Sequence, residues 1–361
     1  MTVTWSAPGR VNLIGEHIDY TGGPVLPFAL DLRTTVVLER RAAGALEVTS
    51  QDFGTVTLSR SPQPGGVGGW ARYVAGAVWA FADATGRAVP GLSIAVSSTV
   101  PVGAGLSSSA AVECAVLGAL DEECGTGLSR RDIAEIAVRA EREFVGVPCG
   151  PMDQLVVMLG EVDSALLIET RSLHTEAVPL LLRDSGLTLL VIDTRVRHEL
   201  ADGAYADRQS ACARAAAVLG LDFLSDATLE QLHGLADPVL RRRAHHVVTE
   251  VRRVHDVVAL LRSGRARDIG ALLTASHLSL AGDYEVSSPE LDTAVEATLA
   301  AGALGARMTG GGFGGSAIAL CRTPEAAEVA ARVRAAFAEA GLGPPDVWPA
   351  TAAAGARAAT S

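Results

Sequence analysis

The segment LSIAVSSTV-PVGAGLSSS-AAVECAVL (92–117) carries an apolar, β-branched run through a glycine-rich turn into a helix-forming stretch. This ordering fixes more of the fold than anything else in the chain. Gly103 and Gly105 let the backbone come close to a phosphate, and the helix start offers unpaired N–H groups at a positive dipole end. Ser107, Ser108 and Ser109 add hydroxyls that suit phosphate or Mg²⁺; they equally suit a serine-capped helix. Around this unit, strand-like runs such as TTVVLE, ALEVTS, ALLIET and LTLLVIDT mix with helical ARYVAGAVWAFADAT and RRDIAEIAVRAEREFVG. There is no steady βαβ rhythm, so the pattern predicts two α+β domains rather than a Rossmann sheet. The 361 residues suit two domains, and the break in PLLLRDSGL (179–187) divides them into 1–185 and 186–361. The Ala-rich tail after Trp348 is expected to fray.

Charge narrows the chemistry. All 30 basic residues are arginine, so a P-loop lysine, a protein-kinase lysine and a Schiff-base lysine are excluded. Any phosphate must be neutralised by Arg, metal and backbone. The net charge of −11 argues against nucleic acid and anionic membranes as partners. Five widely spaced cysteines without a C-x-x-C pair suggest a reducing compartment. The N-terminus lacks the pattern of a signal peptide, and no run of about 18 apolar residues could span a membrane. These features read as a cytoplasmic protein, and no obligate protein partner is evident.

Two further segments carry chemistry. APGRVNLIGEHIDYTGG packs Arg10, Asn12, Glu16, His17 and Asp19 into ten positions. Strand alternation would put Glu16 on the face of Arg10 and Asn12, with Asp19 swinging beside it. Two carboxylates and an imidazole suit a polyhydroxylated ligand, whose hydroxyls seek ionised acceptors; a solvated charged turn is the plainer alternative. MTGGGFGGSAI contains G-x-G-x-x-G, but it feeds a strand, whereas a dinucleotide fingerprint opens a helix. This loop either lies against a ligand or is a flexible turn. His198-Glu199 begins like H-E-x-x-H, yet Asp202 holds the second His position. His245, His246 and His255 are expected on a solvated helix face.

Together, GRVNLIGEHIDYTGG (9–23), PVGAGLSSSAA, AEREFVGVPCGPMDQ (140–154) and TGGGFGGSAIAL resemble, in order, the motifs of the GHMP small-molecule kinases, and the first resembles the galactokinase signature. Ile18 stands where that signature leads one to expect Thr, and Pro151 replaces a more usual aliphatic residue. The resemblance implies two lobes, a ribosomal-S5-like N-terminal domain and a ferredoxin-like C-terminal one, with the active site in the cleft. It implies that Asp153 is the catalytic base, with Arg10 facing it and the transferring phosphoryl group. Glu16, His17, Asp19, Gly150 and Tyr205 would bind the sugar. Gly103, Ala104, Gly105, Leu106, Ser107, Ser108 and Ser109 would wrap the phosphates of ATP, and Ser109 and Glu141 would hold Mg²⁺. The implied activity is ATP-dependent phosphorylation of galactose at its anomeric hydroxyl. A kinase for a related sugar (N-acetylgalactosamine, arabinose) and a non-catalytic galactose-sensing relative are the alternatives; the intact serine run and Asp153 speak against the sensor.

Overall fold

The computed structural model describes residues 2–42, 44–197 and 201–359. The HExxH-like His198 and Glu199 lie outside them. Five runs of the first hundred residues and one from the C-terminal tail assemble a six-stranded sheet in the order Arg357–Ala358, Thr2–Asn12, Pro27–Arg40, Leu92–Ser98, Leu46–Ser50, Gly54–Leu58. Neighbours are antiparallel except Leu46–Ser50 and Leu92–Ser98, which run parallel. Four helices belong to this half: α1 (Ala71–Thr85), α2 (Ser108–Cys124), α3 (Arg130–Arg139) and α4 (Met152–Leu159). Ten of the seventeen residues of α2 are buried, because it packs on the sheet on one side and on α1 on another. A small sheet of Pro24–Val25, Ser164–Glu169 and His174–Pro179 stands beside them.

The second half holds an antiparallel four-stranded sheet, in the order Gly305–Thr309, Ser316–Arg322, Leu187–Asp193, Asp346–Ala350. Its helices are α5 (Ala201–Leu219), α6 (Pro238–Arg262), α7 (Ile269–Ser279), α8 (Pro289–Ala300) and α9 (Ala326–Glu339). One sequence expectation, the frayed tail, changes here. DYTGGP is a tight 3-10 turn at Asp19–Thr21. PCGPMDQ is the entry to α4, with Pro151 just ahead of the helix at φ −85, a backbone its ring accommodates. The tail does not fray: it returns to pair Arg357 and Ala358 with Ser6 and Trp5. Apolar side chains at Ala352 and Ala356 are buried there, which the even Ala composition concealed.

Candidate active site

The strand Thr2–Asn12 slips register against its neighbour between Pro8 and Arg10. At the slip is Gly9, where a Cβ would stand 2.8 Å from the carbonyl oxygen of Leu106. Glycine therefore lets the loop 103–109 lie on the strand, and Arg10 N–H donates to that carbonyl at 3.0 Å. The bulge turns the Arg10 side chain into the interior, where it is 5% exposed. Its Nε and Nη2 donate to the two carboxylate oxygens of Asp153 at 2.7 and 2.8 Å, and Nη1 donates to the Gly105 carbonyl at 2.5 Å. Asp153, in the first turn of α4, also accepts from the Ser107 hydroxyl. Ser107 takes a left-handed backbone, φ 59, and makes no side-chain helix cap. The strained residue aims its hydroxyl at Asp153 instead.

The sugar-motif residues meet at one cavity of about 700 Å³, whose lining includes Glu16, His17, Asp19, Gly150, Asp153 and Tyr205. The strand ends at Asn12, so Glu16 reaches the site from a turn. Its carboxylate accepts from Asn12, Thr309 and the Gly310 N–H, with Arg307 Nη2 at 3.7 Å. Burial pushes its pKa up to about 7, against the pull of Arg307. Asp19 lines the same cavity as Glu16. It abuts Gly150, where a Cβ would collide with its carboxylate. Burial, then the charge of Asp153, raises its pKa to about 6. His17 is neutral: burial lowers its pKa to about 3. Its Nε2 faces the Gly311 carbonyl at 3.1 Å and so carries the proton. Nδ1 then accepts from Tyr20 at 2.9 Å, which fixes a hydroxyl chain from Tyr284 through Tyr20 to His17. The Tyr205 ring packs on His17 and Tyr20.

A second cavity, of about 810 Å³, is lined by Gly103, Gly105, Leu106 and Ser107–Ser109 on one side and by Phe53 and Trp70, stacked at 6.1 Å, on another. Ala104 does not line it; its carbonyl accepts from Ser316 at 2.8 Å and anchors the loop. Ser109 donates to Glu141 at 3.0 Å, and Gln154 holds the other carboxylate oxygen. Burial, then Asp153, pushes Glu141 up to about 7, marking a corner short of positive charge. Hydroxyl and carboxylate oxygens suit Mg²⁺, which takes few protein ligands and completes its shell with phosphate and water. No group of three or more His, Cys, Asp or Glu able to hold a metal occurs among the described residues. The donors present fit that ion.

The third glycine-rich segment is neither a flexible turn nor solely a ligand loop. Gly310–Gly312 line the sugar cavity, while the segment clasps the loop 103–109: a Cβ on Gly310, at φ 84, would stand 2.9 Å from the Gly105 carbonyl. Sequence reasoning missed the support under the sugar motif. His246 is buried, unlike the solvated face expected, and pairs with the Glu16 carbonyl at 3.0 Å. Glu250 accepts from Gly15 N–H at 3.0 Å and Ser276 at 2.7 Å. Leu240, Val247, Val254 and Leu261 mark the inner stripe of α6 at seven-residue spacing, and Arg243 and Glu250 fall on it; that stripe was the available signal. Ile18 is fully buried and supplies only its carbonyl, to Thr21 and Gly23, so a hydroxyl is not needed there.

Comparison with known proteins adds a family. Residues 2–40 match the galactokinase galactose-binding signature, 72–161 the GHMP kinases N terminal domain and 257–339 the GHMP kinases C terminal domain. The chain is 44% identical to a galactokinase of Streptomyces coelicolor, covering 98% of this chain and 93% of that one. It is 45% identical to one of Homo sapiens, covering 87% and 82%. The crystal structure of Lactococcus lactis galactokinase complexed with galactose superposes with a TM-score of 0.92 at 30% identity, over 99% and 95% of the chains. A mevalonate kinase of Methanococcus jannaschii, at 18% identity and TM-score 0.73, shares the fold. The expected two-lobed GHMP kinase architecture is borne out.

Proposed function

This chain belongs to the galactokinases of the GHMP kinase family, and on that footing we propose how its residues move the γ-phosphoryl group of ATP onto the anomeric oxygen of D-galactose. The products are α-D-galactose 1-phosphate and ADP, and the reaction uses Mg²⁺. The observation that carries the residue assignment is the position of Asp153: it lines both cavities and is held by the Arg10 fork and Ser107.

In this reading galactose occupies the first cavity with its anomeric hydroxyl toward Asp153. Asp19 accepts from ring hydroxyls, and Gly150 leaves room for it. Glu16, already held by Thr309 and Gly310, shapes the wall, with His17 and Tyr205 beside it. The second cavity receives ATP, its phosphates along Gly103–Ser109, with Ala104 acting through the loop's anchorage. Ser109 and Glu141 would hold Mg²⁺, which when bound offsets phosphate charge. An aspartate is too weak a base to ionise a sugar hydroxyl in advance. Asp153 therefore takes the proton as the new O–P bond develops, in the manner of a loose phosphoryl-transfer transition state. We also infer domains at 1–185 and 186–361, with the tail returning to the first, and a cytoplasmic enzyme that needs no protein partner. No helix among the described residues is long and apolar enough to cross a membrane, and all five cysteines are unpaired.

A panel of free sugars with Mg·ATP, scored for ADP release and phosphorylated product, tests the substrate. A buried acceptor left unpaired costs roughly 1–3 kcal/mol, so glucose, inverted at carbon 4, is expected to lose about tenfold or more in kcat/KM. Equal turnover of glucose and galactose would overturn the sugar assignment.

A further inference from the structure

Three residues line both cavities: Arg10, Asp153 and Arg72. They border the junction between the two cavities. Arg72 lies in the first turn of α1, outside every motif singled out in the sequence. We propose that Arg72 is a catalytic residue, whose guanidinium contacts the γ-phosphoryl group as it moves from ATP to the sugar. This rests on the kinase reading above and adds a residue to it.

The argument is one of charge. The chain has no lysine, so positive charge at the junction must come from arginine or metal. Arg10 is already committed. Two of its nitrogens serve Asp153 and the third serves the Gly105 carbonyl, so its charge is matched within the protein. Arg72 is differently placed. Among the described residues it makes no ion pair, and its one side-chain hydrogen bond runs from Nη2 to the neighbouring Tyr73 hydroxyl at 2.9 Å. The guanidinium carbon lies 5.0 Å from the centre of the Tyr73 ring. Nε is buried without a partner. The fork is thus half-buried and held in place by Tyr73, and its charge is unspent. A planar fork with free N–H groups matches phosphate oxygens, and the N-terminal end of α1 adds its own partial positive charge.

The step balances without altering Arg72. The anomeric oxygen forms a bond to phosphorus, and the bond from phosphorus to the bridging oxygen breaks with its electron pair going to ADP. The sugar proton goes to Asp153, while Arg72 donates hydrogen bonds to oxygens of the transferring group.

The test compares the parent with Arg72→Met and Arg72→Lys. It measures kcat, galactose affinity by calorimetry, and affinities for ADP and for the non-hydrolysable β,γ-imido analogue of ATP. Arg72→Met is expected to lose about 100-fold or more in kcat with galactose affinity unchanged, and Lys to regain part of the loss. The imido analogue should lose about tenfold more affinity than ADP, and added guanidinium should restore part of the Met variant's rate. A kcat within about threefold of the parent overturns the proposal. So do equal losses for the analogue and ADP, which would place Arg72 on the inner phosphates. Should the Met variant melt early, Arg72→Gln is measured by the same ATP-to-ADP ratio. A parent that releases no ADP with galactose overturns the kinase reading itself, a different outcome from a normal parent with indifferent variants.

Discussion

At the scale of single residues, the site sets like charges close together and separates them by what each one touches. Asp153 keeps a paired guanidinium, whereas Asp19 feels burial and the Asp153 charge without a cation of its own. Asp153→Asn keeps the shape but cannot take the sugar proton. A positioned base is worth roughly 10²–10⁴ in rate, so kcat should fall by that order while galactose, measured by calorimetry, still binds. Near-parental kcat would remove the base from Asp153. Asp19 supplies a pH signature. Its carboxyl titrates at about 6, so below that pH it gains a proton and gives up an acceptor. Galactose KM in the parent is expected to climb as pH falls through 6, approaching about tenfold per pH unit. Asp19→Asn should start from a weaker KM and lose that component. A parent KM that stays flat from pH 7 to 5 would contradict the role. These residues were legible in the sequence because their motifs resemble a known family. Arg72 was legible only as an arginine in the first turn of a mostly apolar helix, and its meaning depends on which cavities it borders.

At the scale of elements, one long helix holds the sugar turn from below. The turn after Asn12 has few backbone bonds of its own, and α6 supplies what it lacks: Glu250 for the Gly15 N–H and His246 for the Glu16 carbonyl. Burial works against the Glu250 charge, but His246, Arg253 and Arg307 outweigh it and hold its carboxyl at about 2, below the usual 4.5. A depressed carboxyl contributes stability above its unfolded pKa and loses it as pH falls toward the folded one. The parent should therefore lose stability between pH 4.5 and 2, and Glu250→Ala should lack that component. Removing one partner of a buried pair costs about 3–5 kcal/mol, because Arg253 is left uncompensated beside the gap. Urea unfolding across pH reads both effects, and a variant as stable as the parent at pH 7 would refute the support. The helix itself followed from its sequence. His245 and His255 are exposed as expected, but His246 is not, since a run rich in arginine reads as solvated until the seven-residue stripe is traced through it.

At the scale of the whole molecule, two lobes are closed on each other by glycine-lined backbone contact and by side chains that bond backbone across it. The loop 103–109 meets the third glycine-rich segment at Gly105 and Gly310, with the Ser316 hydroxyl donating to the Ala104 carbonyl at 2.8 Å, and Thr309 Oγ1 lies 3.0 Å from the Asn12 carbonyl. This could not be read from sequence: glycine density signals close approach but does not say what approaches, ligand or chain. The tail was hidden for another reason, because alanines carry no pattern by which a docked strand differs from a frayed one. Yet the tail joins the two elements that present Arg10 and Asp153. Ala359 N–H donates to Thr4 on the first strand at 2.9 Å, while Ala356 and Gly355 donate to Val157 and Gly160 at the end of α4, both at 2.7 Å. Arg33 reaches across to the carbonyls of Ala354 and Gly355 at 2.8 and 3.0 Å. Ending the chain after Ala350 would leave the second-lobe strand Asp346–Ala350 intact and remove all of these contacts. Each backbone bond is worth roughly 1 kcal/mol net, and a chain of this size loses about 2 °C per kcal/mol. The melting temperature should therefore fall by about ten degrees. Because the Arg10–Asp153 pair is two-pronged, loosening either element degrades its geometry, so kcat at 25 °C should fall along with stability. Scanning calorimetry beside the ADP-release rate measures both. An unchanged melting temperature would mean that the tail rests on the sheet without holding it; a lowered one with full kcat would mean that α4 keeps Asp153 in register unaided.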